Sequence, residues 1–121
     1  NYMTAWVCLF RMARLRAGEK LLVTAAAGGV GTAAVKLASH AGAEVYGMAG
    51  SAEKCALVES LGAAGCFNYR SEDAFKELIA VTGGVDAVLE VVGGKVYRRS
   101  LDVLNPFGRV VVAGFAGLVL D

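Results

Sequence analysis

Proline occurs once in the 121 residues, histidine once, and only 19% of the side chains are charged. Each scarcity excludes something. Twelve Lys and Arg stand against 11 Asp and Glu, a net charge of +1, so no strong field of either sign points to nucleic acid or an anionic membrane. No uninterrupted apolar run reaches ~18 residues, which argues against a transmembrane helix. The three cysteines, Cys8, Cys55 and Cys66, are odd in number, far apart and free of any CxxC spacing. With His40 as the one imidazole they cannot assemble a zinc site, so free thiols in a reducing cytosol are expected. No signal peptide is visible, which sets the expectation of a cytoplasmic protein. The chain starts at Asn1 and stops at Asp121 just after an apolar stretch, and we expect it to be a piece of a longer protein.

Apolar residues, in contrast, make up 56% of the chain, a balance that rules out disorder. The length suits one domain. The apolar residues fall into repeating cycles. Thr4 to Ala13 reads as a helix with Trp6, Leu9, Phe10 and Ala13 near one face, followed by a polar joint at Arg14, Arg16, Gly18 and Glu19. Leu21-Leu22-Val23 is a short strand. A Gly-rich turn follows, and then a helix with Val30, Ala33, Ala34, Leu37, Ala38 and Ala41 on one face, stopped by Gly42. The cycle then recurs. Val45–Met48, Cys66–Asn68, Val85–Val91 and Val110–Ala113 read as further strands. Between them lie a helix capped by Ser51, one opened by Ser71, and one marked by Tyr97, Leu101 and Leu104 and ended by Asn105-Pro106.

Short, wholly apolar strands indicate parallel strands buried on both faces. Their alternation with helices predicts an α/β fold, a doubly wound parallel sheet of the Rossmann type with about five strands in the order 3-2-1-4-5. A six-stranded version needs one more helix and strand, so the fifth strand is expected to be an exposed edge.

The strongest motif is Ala26-Ala27-Gly28-Gly29-Val30-Gly31, which fills the G-x-G-x-x-G frame with Ala in the first place, directly after a strand and opening a helix. Gly28 lets backbone approach a pyrophosphate, Gly31 lets helix and strand pack closely, and free N–H groups at the helix start favour the anion. In NAD-binding folds an Asp or Glu about 20 residues on holds the ribose 2′-hydroxyl. Here that place reads Ala49-Gly50-Ser51. With no carboxylate to repel a 2′-phosphate, and with Ser51 and Lys54 at a helix start, the reading is NADP(H).

These stretches, together with Leu61-Gly62-Ala63, Asn68-Tyr69-Arg70, Val85 to Glu90 and Arg99-Ser100-Leu101, resemble the zinc-independent quinone oxidoreductases. That group is the zeta-crystallin-like branch of the medium-chain dehydrogenase/reductase superfamily. The resemblance implies NADPH-dependent reduction of a small-molecule quinone or enone, no resident zinc and a homo-oligomer. It also implies that Lys54, Tyr69 and Ser51 surround the 2′-phosphate and that the Gly28-Gly29-Val30 backbone meets the pyrophosphate. Thr4 then lies near the nicotinamide end, which Ala113, Gly114 and Phe115 line. Glu90 stands where the family often has Asp, with its role left open. No catalytic general acid is expected within the chain, and the family's GroES-like substrate domain has no counterpart in it. Three alternatives stay open: an enoyl reductase domain of a fatty-acid or polyketide synthase, a non-catalytic NADPH-binding module, and an interaction body that self-associates.

Overall fold

The computed structural model describes residues 2–113. A short helix, α1 (Tyr2–Trp6), widens into a π-helical segment (Val7–Met12). After it come β1 (Lys20–Val23), α2 (Gly29–His40), β2 (Glu44–Ala49), α3 (Ala52–Ser60) and β3 (Gly65–Asn68). The chain continues through α4 (Ala74–Thr82), β4 (Val85–Glu90), α5 (Gly94–Asp102) and β5 (Leu104–Val112). All pairings are parallel and the order is β3-β2-β1-β4-β5, as the alternation predicts.

The sheet separates two apolar layers. On one side the π-helical segment, α2 and α3 pack Leu9, Ala34, Val35, Ala38 and Val58 against Leu21, Val23, Val45 and Leu89. On the other, α4 and α5 cover Leu22, Met48, Val85 and Val88 with Phe75, Leu78 and Val103. Leu21, Leu22 and Val23 are wholly buried, successive residues facing opposite layers. Each contributes about 1.5–3 kcal/mol over exposure. That is why β1 reads as a continuous apolar run.

Three local expectations are corrected. The helix over 4–13 is α-helical only to Trp6. Beyond it, Ala13 N–H donates to Cys8 O at 2.9 Å, a π-type closure, and Arg14 turns the chain with φ +53°. The buried face of this stretch carries Ala5, Cys8, Leu9 and Ala13, so Trp6 stays half-exposed with its ring against Phe10, 5.9 Å between centroids. Leu104 begins β5 rather than ending a helix. Residues 105–108 bulge out between the Val85–Leu104 and Ala87–Arg109 pairs, so Pro106 costs no ladder bond on this edge strand. Tyr97 and Leu101 are exposed, and α5 turns Ser100 inward. The helix opened by Ser71 starts its regular turns at Ala74, with Ser71 Oγ accepting from Asp73 N–H at 3.3 Å.

Candidate functional site: the phosphate turn and its pocket

The turn between β1 and α2 is built from backbone. Ala25 takes φ +49°, Ala26 N–H donates to Met48 O at 2.8 Å, and Gly28 N–H donates to Ala25 O at 3.0 Å. The left-handed residue is therefore Ala25, which leaves Ala26 free to fill the first glycine place of the motif. Helix α2 begins without a side-chain cap, and its first bond beyond the turn is Thr32 N–H to Gly28 O at 2.8 Å. The amides of Gly29, Val30 and Gly31 are those that a helix start leaves unclaimed. Gly31 is required by packing: a Cβ there would lie 2.8 Å from the Ala26 Cα. At Gly28 a Cβ would meet only Ala25 O, at 3.3 Å. Gly47 on β2 belongs to the same arrangement, since a Cβ there would press on Ala26 Cβ and Val58 Cγ1, both at 2.8 Å. The sequence reading missed Gly47, because a glycine inside a strand carries no periodic signal.

Beside the turn lies an open pocket of about 220 Å³ lined by Ala25, Ala27, Gly28, Ala49, Gly50, Lys54 and Tyr69. Three of the predicted residues, Gly28, Lys54 and Tyr69, thus meet around one space. Tyr69 is held by its N–H bond to Ala49 O at 3.1 Å, and its hydroxyl lies 3.1 Å from where a Gly50 Cβ would be. Any side chain at position 50 would crowd that hydroxyl. Ser51 caps α3, its Oγ accepting from Lys54 N–H at 3.2 Å, which leaves its own hydroxyl proton to give. Among the described residues no carboxylate lies within ion-pair distance of the Lys54 ammonium. A larger groove of about 710 Å³ between α4 and α5 shares only Tyr69 with this pocket.

Other predicted residues fall elsewhere. Thr4 is half-buried on α1, and Ala113 is buried at the end of β5, its N–H donating to Glu90 O at 2.9 Å. Neither lines the pocket. Gly114 and Phe115 lie outside the described residues. His40 is exposed at the end of α2. Burial pushes the Cys8 thiol up, and burial followed by the neighbouring Cys55 pushes Cys66 up, so neither is a ready nucleophile.

Glu90, left open by the sequence, is wholly buried. It accepts from the N–H groups of Val92 (2.6 Å) and Gly93 and from the hydroxyls of Thr24 (3.1 Å) and Ser100 (3.5 Å). Thr24 and Ser100 were also missed. Their one signal is a hydroxyl in an otherwise apolar position.

A doubly wound parallel sheet with an uncapped glycine turn at the end of its first strand defines a dinucleotide-binding domain. The profile of the zinc-binding dehydrogenase family matches residues 29–119, and the chain belongs to that family, within the medium-chain dehydrogenase/reductase superfamily. It is 45% identical over 119 residues to a highly reducing polyketide synthase of Aspergillus terreus, covering 93% of this chain and 5% of that one. It superposes on the CurK enoyl reductase with a TM-score of 0.87 at 42% identity, covering 93% of this chain and 34% of that one. The quinone oxidoreductase of Thermus thermophilus, known also in complex with NADPH, gives a TM-score of 0.84 at 43% identity, with 95% and 37% covered. The chain thus spans a small part of the synthase and about a third of each of the two reductases. It corresponds to the cofactor-binding part of that superfamily, which binds pyridine nucleotides.

The residues present fit that cofactor: the uncapped helix start, the side-chain-free approach at Gly28 and the Lys54–Tyr69 pocket are donors and space for a phosphate-rich ligand. Among the described residues no three His, Cys, Asp or Glu side chains are grouped to hold a metal ion. Among them, too, no helix is long and apolar enough to cross a membrane.

Proposed function

We propose that this chain is the NADP(H)-binding domain of a zinc-independent, NADPH-dependent quinone or enone oxidoreductase. The observation that carries the reading is the pocket joining Gly28 to Lys54 and Tyr69, with Ala49 and Gly50 where an acid would oppose a 2′-phosphate. In this reading the unclaimed amides of Gly29 to Gly31 hold the pyrophosphate. Lys54, the Tyr69 hydroxyl and the Ser51 hydroxyl donate to the 2′-phosphate. The chemistry that NADPH supplies when bound is hydride donation to an electron-poor carbon. The domain's part is to bind and orient, and the acceptor is a small-molecule quinone or activated alkene. The intact protein is a cytoplasmic homo-oligomer, with Thr4 and the Ala113 backbone toward the nicotinamide.

A second reading, the enoyl reductase domain of a polyketide synthase, is favoured by the likeness to the synthase and to the CurK enoyl reductase. Both readings share the cofactor pocket and differ in substrate. Calorimetric titration with NADPH and NADH at two salt concentrations tests their common ground. The expected result is tighter NADPH binding that weakens with salt. Equal affinities, or affinities insensitive to salt, would overturn the 2′-phosphate assignment.

A further inference from the structure

Beyond the phosphate turn, and resting on the cofactor reading, we propose that Glu90 is a positioning residue for the cofactor cleft. From one buried point its carboxylate fixes both chain segments that leave the sheet at the cleft.

In this strand order the topological switch lies between β1 and β4, and ligands of such sheets bind in the crevice outside the carboxyl ends of those strands. Thr24 and Glu90 are the residues at those two ends. Thr24 Oγ1 donates to Glu90 Oε2 at 3.1 Å and accepts from Val91 N–H at 2.9 Å, so it stitches β1 to β4 beyond their last paired residues. Thr24 immediately precedes Ala25, whose φ of +49° starts the phosphate turn. The other oxygen, Oε1, accepts from Val92 and Gly93 N–H and so shapes the loop leaving β4, where Gly93 and Gly94 take φ of +85° and +59°. Ser100 of α5 closes the fourth side. A buried carboxylate is tolerated only when its oxygens are satisfied, and here no buried polar side-chain atom lacks a partner among the described residues.

The same geometry says which substitution keeps the arrangement. In Glu90→Gln, the amide oxygen still accepts from Val92 and Gly93. The amide nitrogen donates to Thr24 Oγ1 and Ser100 Oγ. Those hydroxyls already have carbonyls to turn to, Leu89 O at 3.4 Å and Val96 O at 2.8 Å. In Glu90→Ala the two loop amides lose their acceptor, and the Thr24 hydroxyl is left with Leu89 O alone.

The test uses the 121-residue chain and two readouts, taken at a temperature where circular dichroism shows each variant folded. Glu90→Ala is expected to weaken NADPH and NADH alike by roughly tenfold, whereas Glu90→Gln stays close to wild type. A residue that served stability alone would lower the melting temperature and leave the affinity of the folded protein unchanged; that result overturns the proposal. So does a Gln variant as weak as the Ala variant, which would assign the effect to charge rather than to hydrogen-bond geometry. The second readout is amide hydrogen exchange at Val92 and Gly93. It is expected to speed up in Glu90→Ala and to stay protected in Glu90→Gln, and unchanged exchange in the Ala variant overturns the proposal without any cofactor. If Glu90→Ala does not fold, Thr24→Val takes its place, removing the Oε2 donor and the acceptor of Val91 N–H: weaker binding of both cofactors and faster exchange at Val91 are expected, and unchanged values overturn the proposal. Wild type that binds neither cofactor would overturn the cofactor reading, and the exchange result then decides on Glu90.

Discussion

The two ends of the sheet use polar groups in opposite ways. At the amino ends of β1, β4 and β5 the charges are matched. The Arg109 guanidinium donates to both Glu19 oxygens, at 2.9 and 2.8 Å, and to Ala13 O at 2.8 Å. Asp86 accepts from Lys20 N–H at 2.9 Å and from the Asn105 amide at 3.1 Å, and the Lys20 ammonium donates to Thr82 O at 2.8 Å. At the carboxyl ends an uncapped helix start, the Lys54 ammonium and the Tyr69 hydroxyl face open space. Matched groups hold the fold together. Unmatched ones at a cleft are donors in search of an acceptor, and Glu90 is the hydrogen-bonded carboxyl group that frames them.

The sharpest way to break this contrast is to put a methyl group on Gly31 and, separately, on Gly28. Gly31→Ala drives a Cβ into the Ala26 backbone, where neither partner is a flexible side chain. We expect a loss of about 3 kcal/mol in urea unfolding, the upper range for overpacking. Gly28→Ala meets only Ala25 O at 3.3 Å, so its stability should change by less than about 1 kcal/mol. Its NADPH affinity should nevertheless fall by roughly tenfold, because the methyl stands where backbone must approach the pyrophosphate. Equal stability losses in the two variants would show that the glycines play one role, not two.

Next in size is Lys54→Ala. A hydrogen bond to a charged group is worth about 1.5–3 kcal/mol, so NADPH binding should weaken roughly ten- to hundredfold while NADH binding barely changes. Calorimetry reads both. Equal losses would take the 2′-phosphate away from Lys54 and make the carboxyl edge less selective than its open donors suggest.

Much of this was legible before the structure. The strand order follows from alternation, and the positions of Gly28, Gly31, Ser51 and Lys54 are local: each is placed by its own turn or helix start. What stayed hidden depends on side chains meeting across the chain. Arg109 and Glu19 are 90 residues apart, and Thr24 and Glu90 are 66 apart. No periodicity marks either pair. The π segment escaped for a related reason: its apolar positions, Leu9 and Ala13, also suit an α-helix, and only the Ala13-to-Cys8 bond separates the two. Pro106 misled because the bulge that accommodates it forms only when β5 meets β4.

The smallest effects test the amino edge. Arg109, first through its hydrogen bond, holds the Glu19 carboxyl below the usual carboxylate range, and Glu19 in turn raises Arg109. A carboxyl whose folded pKa lies below its unfolded one stabilises fully above about pH 4.3 and loses that contribution as pH falls through the folded value. Glu19→Gln should therefore cost about 1 kcal/mol at pH 7, the pair being partly exposed at 32% and 23%. The gap from wild type should close only below about pH 4. The comparison pair is Lys76 and Asp73, with opposite charges 4.0 Å apart but 82% and 67% exposed. Water screens it and two long side chains lose freedom to hold it, so Lys76→Ala should leave the melting temperature unchanged at about pH 7 and about pH 4 alike. If thermal melts showed both substitutions to be equally costly, or equally neutral, burial would not be what separates the matched charges of this edge from ordinary surface ones.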